Sequence, residues 1–224
     1  MPKILMLTTD QMIDRRILLE SDALAVDGWE VAILAMPGAA QDHPRVVRAH
    51  ASVSASLGTK ERAIISVYRM LRRRMSLNGA VARRLKSFIW RNLISPDEFA
   101  RRIMVPSARD YHCDVVVAHD LPILPAAVKV AKHHGARLVY DSHELYCEQE
   151  FEPRLQRMWS AVERRVVGAC DAVMTVNPSI AAELKKRYDL PEVYVVQNAD
   201  GCAQRQAMAV PRTVRAAVFF RSLS

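Results

Sequence analysis

Val115-Val116-Val117-Ala118 runs into His119-Asp120, and Leu138-Val139-Tyr140 runs into Asp141-Ser142-His143-Glu144. Each run is short, apolar and rich in β-branched side chains, the pattern of a strand buried on both faces. Each closes on a histidine accompanied by carboxylates. Between them Leu124, Ala127, Val128 and Ala131 recur at helical spacing, and Gly135 supplies a stop. Strand–helix–strand makes two parallel neighbours. His119 and His143 then share the carboxyl edge of one sheet, where open α/β sheets bind ligands.

The same rhythm extends in both directions. Residues 3–9 read as a buried strand. A helix from Asp14 carries Ile17, Ser21, Leu24 and Ala25 on one face and stops at Gly28; residues 29–35 are a second strand, closed by Pro37-Gly38. A further strand is expected over 46–53. Downstream, Pro153 opens a helix with Leu155, Met158, Trp159, Val162 and Val166 inward, and 171–176 read as a strand. Asn177-Pro178 caps a helix with Ile180 and Leu184 inward, and 193–196 form a last strand. The expected class is α/β, a Rossmann-like parallel sheet with helices on both faces, over residues 1–198. Residues 199–224 read as an irregular tail without a second domain.

The first turn, residues 8–13, holds no glycine, so a GxGxxG dinucleotide fingerprint is absent, and only 7 glycines occur in the whole chain. No run of 18 apolar residues suggests a membrane span. The apolar start, Ile4 to Leu7, is too short for a secretory signal. The four cysteines are scattered without a CxxC pair, as reduced cytosolic cysteines are.

The net charge of +8 is concentrated: residues 60–109 hold 13 Lys/Arg against 3 Asp/Glu. Ile64, Val67, Tyr68, Leu71 and Met75 form one helical stripe, with Arg62, Arg69, Arg72 and Arg73 largely off it. A second basic helix over 80–93 carries Arg83 and Arg84, and Ser95-Pro96 begins a third. This basic helical insertion, about 59–112, reads either as a solvated face or as a surface that docks on anionic lipid. Arg69, Arg72, Arg73, Arg83 and Arg84 would then face the membrane. Nucleic acid is not an expected partner, since no aromatic residues interleave with the arginines.

The paired His and carboxylate groups are compatible with a metal, but they lack a specific zinc spacing and none is expected. The alternatives are histidines that satisfy loop backbone, or a polar cleft where imidazoles meet substrate hydroxyls and phosphates.

Several segments, in order, resemble the N-terminal half of a GT-B glycosyltransferase of the retaining family 4. They are Asp14-Arg15-Arg16-Ile17 with Gly28-Trp29-Glu30-Val31, then Ala118-His119-Asp120-Leu121-Pro122 through Pro125-Ala126-Ala127. Val139-Tyr140-Asp141-Ser142-His143-Glu144 and Trp159 with Glu163-Arg164 follow. The set ends with Asp171-Ala172-Val173-Met174-Thr175-Val176-Asn177 and Val195-Val196-Gln197-Asn198. The resemblance implies two Rossmann-like domains across a cleft, the first binding the acceptor and the second most of the nucleotide-sugar. It implies sugar transfer from a nucleotide-sugar to a glycan or lipid-linked acceptor, with no cofactor beyond the donor as co-substrate.

By the same resemblance His119 is the catalytic-site histidine that contacts the donor sugar, and no protein nucleophile is named. The substrate-binding set is Thr9, Asp10, Asp14, Asp120, Ser142, His143, Glu144 and Asn198; Asp14 reads equally as a helix N-cap. The expected location is cytoplasmic, peripheral at the inner face of the membrane. The first loop lacks the glycine frequent in relatives, and the second domain with its two glutamates eight positions apart is missing. The chain is therefore expected to be truncated and weakly active or inactive alone. The alternatives are a non-catalytic remnant or partner-binding module of the same fold, and a sugar-nucleotide 2-epimerase-like enzyme.

Overall fold

The computed structural model describes residues 1–38, 43–49, 66 and 96–197. Seven parallel strands form one sheet: β1 (Lys3–Thr8), β2 (Glu30–Ala35), β3 (Val46–Arg48), β4 (Val115–His119), β5 (Arg137–Ser142), β6 (Ala172–Thr175) and β7 (Tyr194–Val195). Five α-helices are described, α1 (Arg15–Val26), α2 (Pro96–Ala108), α3 (Leu124–His134), α4 (Pro153–Val166) and α5 (Pro178–Tyr188), with short 3-10 turns at Tyr146–Glu148 and Val167–Ala169. The spatial order is β3-β2-β1-β4-β5-β6-β7. The chain winds one way from β1 to β3 and the other from β4 to β7, so the switch point lies between β1 and β4.

Strand residues alternate between two apolar layers, as a pleated strand requires. Ile4, Met6, Val31, Ile33, Val115, Val117 and Val139 pack with Ile17 and Leu24 of α1. Leu5, Leu7, Val116, Ala118, Leu138 and Tyr140 pack with α2, α3, α4 and α5 through Ile103, Leu124, Trp159 and Leu184. Both faces are covered, which is why the strands read as unbroken apolar runs. The expected α/β architecture with helices on both faces is what the chain adopts.

Local chemistry sets the boundaries. Asp14 caps α1 by accepting the Arg16 N–H at 2.8 Å. Asn177 caps α5 through the Ser179 N–H at 2.7 Å, with Pro178 in the first turn. Gly135 closes α3 at φ 65°, a left-handed position that costs glycine little. Gly38 is needed for a different reason: a Cβ there would sit 2.9 Å from the Gln11 carbonyl oxygen. The loop after β2 is pressed against the loop after β1.

Some bounds differ from expectation. The first turn after β4 is not helical, and α3 begins at Leu124 with Val130 buried and Val128 only half-buried. The last strand shrinks to Tyr194–Val195, an exposed edge. The third helix of the basic segment, α2, belongs to the domain core, with Ala100, Ile103, Met104 and Ala108 buried. The first two basic helices, the strand beyond residue 49 and the 199–224 tail lie outside the described residues. So do Arg69, Arg72, Arg73, Arg83, Arg84 and Asn198. Among the described residues no helix is long and apolar enough to cross a membrane, and Cys113, Cys147 and Cys170 form no disulfide.

Candidate functional site

His119 is the last residue of β4, and Asp141 lies opposite it in the register of β5. Two residues earlier on each strand, Val117 and Val139 belong to the layer under α1. By the same alternation His119 and Asp141 project toward that face. Asp141 Oδ2 is 3.0 Å from His119 Nδ1 and 2.7 Å from His143 Nε2, so one carboxylate oxygen joins both rings. The ring centroids are 5.8 Å apart. His119 is 1% exposed and Asp141 4%.

The loops are cross-braced. Asp120 adopts φ 68°, a left-handed conformation that aspartate tolerates at a cost of about 1 kcal/mol. The Asp120 N–H donates to the Asp141 carbonyl at 2.9 Å, extending the ladder between the two strands. Asp120 Oδ1 accepts the His143 N–H at 3.2 Å, and Oδ2 lies 3.4 Å from His143 Nδ1. The Ser142 hydroxyl donates to the Glu144 carbonyl at 2.9 Å, and Thr175 donates to the Ser142 carbonyl at 2.6 Å. His143 is thus fixed by its backbone and both ring nitrogens.

Burial works against charge on His143, but hydrogen bonds to Asp120 and Asp141 override it and push its pKa up to about 10. At neutral pH His143 is an imidazolium donating from both nitrogens. Burial also opposes the Asp141 carboxylate, yet hydrogen bonds from His119 and His143 hold it well below the usual carboxylate range. Where His119 gives its Nδ1–H to Asp141, Nε2 is left as the ring's acceptor. That Nε2 is buried with no hydrogen-bond partner among the described residues.

At the rim, Arg16 donates to Asp14 from Nε at 3.0 Å and Nη2 at 2.6 Å. Its hydrogen bond lowers Asp14 to about 2, with a smaller contribution from His143. Asp120 and Asp141 in turn act on Arg16. The first turn of α1 is therefore close enough to the cluster to share its field. The arrangement presents one oriented imidazole nitrogen beside two fixed cationic groups, His143 and Arg16. Both cations are already matched by carboxylates, Arg16 by Asp14 and His143 by Asp120 and Asp141, so the free imidazole nitrogen suits a ligand hydroxyl. Ligand-type atoms of His119, Asp141 and His143 also lie within 4.8 Å of one another. A metal there would have to displace the proton that joins His143 to Asp141.

The profile of Glycosyltransferase Family 4 matches residues 13–199. The chain belongs to this family. Among solved structures, a sucrose-phosphate synthase from Thermosynechococcus elongatus aligns with TM-score 0.55 at 9% identity, covering 99% of this chain and 97% of that one. A longer structure of the same enzyme aligns with TM-score 0.51 at 12% identity, covering 88% of this chain and 48% of that one. Anabaena HepE, solved with UDP and glucose, aligns with TM-score 0.49 at 14% identity over 89% of this chain and 45% of that one. The chain spans about half the length of these two longer structures. A search of curated proteins finds no match. Fold and profile together make this an N-terminal domain of a GT-B family 4 glycosyltransferase.

Within this family 4 domain, His119, Asp120 and His143 come together as anticipated, and Asp14 lies within electrostatic reach. Asp14 is also the N-cap of α1, its carboxylate filled by Arg16. Ser142 is fully buried and its hydroxyl serves the loop backbone. Glu144 is exposed and bonded to Gln149. Thr9 is half-buried, and Asp10 forms a local turn, its N–H donating to Thr8 Oγ1 at 3.1 Å. Among the described residues, neither the Thr9 nor the Asp10 side chain hydrogen-bonds to the cluster.

Three residues escaped the sequence reasoning. Asp141 joins the two rings, and the signal was its strand parity with His119. Arg16 stands in the sequence only as one of two adjacent arginines after Asp14. Glu20 sits on the sheet-facing stripe of α1 between Ile17 and Leu24, where a carboxylate among apolar positions is itself a signal.

Proposed function

We propose that this chain forms the acceptor-side half of a retaining glycosyltransferase that moves a sugar from a nucleotide-sugar to a hydroxyl of a glycan or lipid-linked glycan. The observation that carries this is the unpartnered, buried Nε2 of His119, oriented by Asp141 at the switch point of a family 4 sheet. In this reading Nε2 hydrogen-bonds a hydroxyl of the transferred sugar, and the His143 imidazolium, held by Asp120 and Asp141, keeps the Asp141 carboxylate aimed at His119. The basic segment, with 13 Lys/Arg against 3 Asp/Glu over residues 60–109, docks the protein on anionic lipid, where lipid-linked acceptors lie.

The test is label transfer from a panel of UDP-, GDP- and ADP-linked sugars to hydroxyl acceptors or water, with equilibrium binding in parallel. One donor is expected to bind, with weak turnover at most by this half alone. His119→Ala should reduce turnover roughly a hundredfold while the protein stays folded. Donor binding or residual turnover that is equal in His119→Ala overturns the role of His119, and failure of every donor to bind overturns the reading of this chain. Sedimentation with anionic against neutral vesicles tests the lipid contact, and equal binding to both removes it.

A further inference from the structure

Glu20 is a carboxylate placed where the fold otherwise puts apolar groups. It follows Ile17 by three residues and precedes Leu24 by four, and both of those are at most 1% exposed. Ser21 beside it is fully buried. Glu20 therefore lies along the stripe by which α1 packs on the sheet. The residue is half-buried, and Oε1 is shut off from solvent with no hydrogen-bond partner among the described residues. A buried acceptor left unpaired costs about 1–3 kcal/mol, so the position calls for an explanation.

The neighbours supply one. On the face under α1, β1 and β2 offer apolar side chains: Ile4, Met6, Val31 and Ile33. β4 and β5 offer His119 and Asp141, and the loop after β5 offers His143. Those three are the groups whose charges act on Glu20. Arg16, one turn earlier on the same helix, is committed to Asp14. Glu20 Oε1 and His119 Nε2 are thus two buried, unpartnered polar atoms above the same side of the sheet.

We propose that Glu20 is a positioning residue of the site, a carboxylic acid that holds a proton beside the His119–Asp141–His143 cluster and sets the charge the cluster presents. Burial, the dominant influence, raises Glu20 to about 7; His119 and His143 pull the other way, and Asp141 adds to the rise. Loss of its proton adds a negative charge facing His119 and His143, and an anionic group arriving at the cluster draws the proton back. None of this requires sugar transfer, so it stands or falls separately from the proposed reaction.

The experiment is NMR on the full chain with carbon-13 in the Glu side chains and imidazoles, titrated from pH 4 to 9. The Glu20 carboxyl signal should titrate near pH 7, with an inflection at the same pH in the His119 and His143 ring signals. In Glu20→Gln that inflection should vanish while the other ring transitions persist, and Glu20→Asp should restore it in part. A Glu20 carboxyl that titrates below pH 5 overturns the proposal, as does an inflection that survives in Glu20→Gln. The wild-type carboxyl titration decides the matter even where a variant fails to fold.

Discussion

Replacing Asp141 by Asn isolates the group that joins the two rings. The side chain keeps its shape, but an amide has one acceptor oxygen and no charge, so it cannot serve His119 Nδ1 and His143 Nε2 through a single anionic atom. The distances are 3.0 and 2.7 Å in a site where His119 is 1% exposed. Removing one partner of a buried charged pair costs about 3–5 kcal/mol, or roughly 6–20 °C in Tm for a chain of this size.

The loss must also depend on pH. The His143 pKa is raised from 6.5 to about 10, so its contribution to stability is complete below pH 6.5 and disappears as pH rises through 10. That interval corresponds to roughly 5 kcal/mol shared between Asp120 and Asp141. Denaturant unfolding of wild type and Asp141→Asn at pH 6 and pH 10 should show a difference of several kcal/mol that shrinks at the higher pH. A difference below about 1 kcal/mol at pH 6, or one equal at both pH values, would refute the charged His–Asp–His assignment.

Other outcomes follow from the same geometry. On the opposite face, Glu163 accepts Tyr140 at 2.8 Å, Tyr188 at 2.6 Å and Cys147 at 3.1 Å. Glu163→Ala strands three donors and should cost roughly 3–5 kcal/mol in denaturant melts, with Glu163→Gln falling between. Gly38→Ala forces a Cβ to within 2.9 Å of backbone at Gln11; it should destabilise by about 1–3 kcal/mol, and a neutral result would show that the two loops part freely. Asp14→Ala should lose about 1 kcal/mol of capping at pH 7. Because Asp14 is lowered from 3.8 to about 2, its contribution is present above pH 3.8 and lost as pH falls through 2. The variant's deficit should therefore fade there in acid unfolding curves.

The fold was legible because two-sided burial leaves unbroken apolar strands, and Asp14, Gly28, Gly135 and Asn177 punctuate them by ordinary capping chemistry. His119 and His143 were legible as polar residues at strand ends. Asp141 was not singled out because it looks like one acid among several in Asp141-Ser142-His143-Glu144. Only the register that sets it opposite His119 separates it from Glu144, which is exposed. Glu20 looks like an ordinary charged helical residue until α1 is seated on the sheet. Ser142 illustrates the reverse, a hydroxyl in the right loop that the backbone has already engaged. Asp120 was legible as a strand-end acid, but its left-handed backbone, and so the aim of its carboxylate at His143, is a property of the folded loop.

The most direct test of the central claim follows the His119 and His143 ring signals by carbon–proton NMR as the full chain is titrated with UDP-, GDP- and ADP-linked sugars and with the bare nucleotides. The account predicts that one nucleotide-sugar shifts the His119 ring saturably, that this shift needs the sugar, and that Asp141→Asn abolishes it. If every donor leaves both rings unmoved, the cluster is not the sugar-facing wall of a glycosyltransferase site.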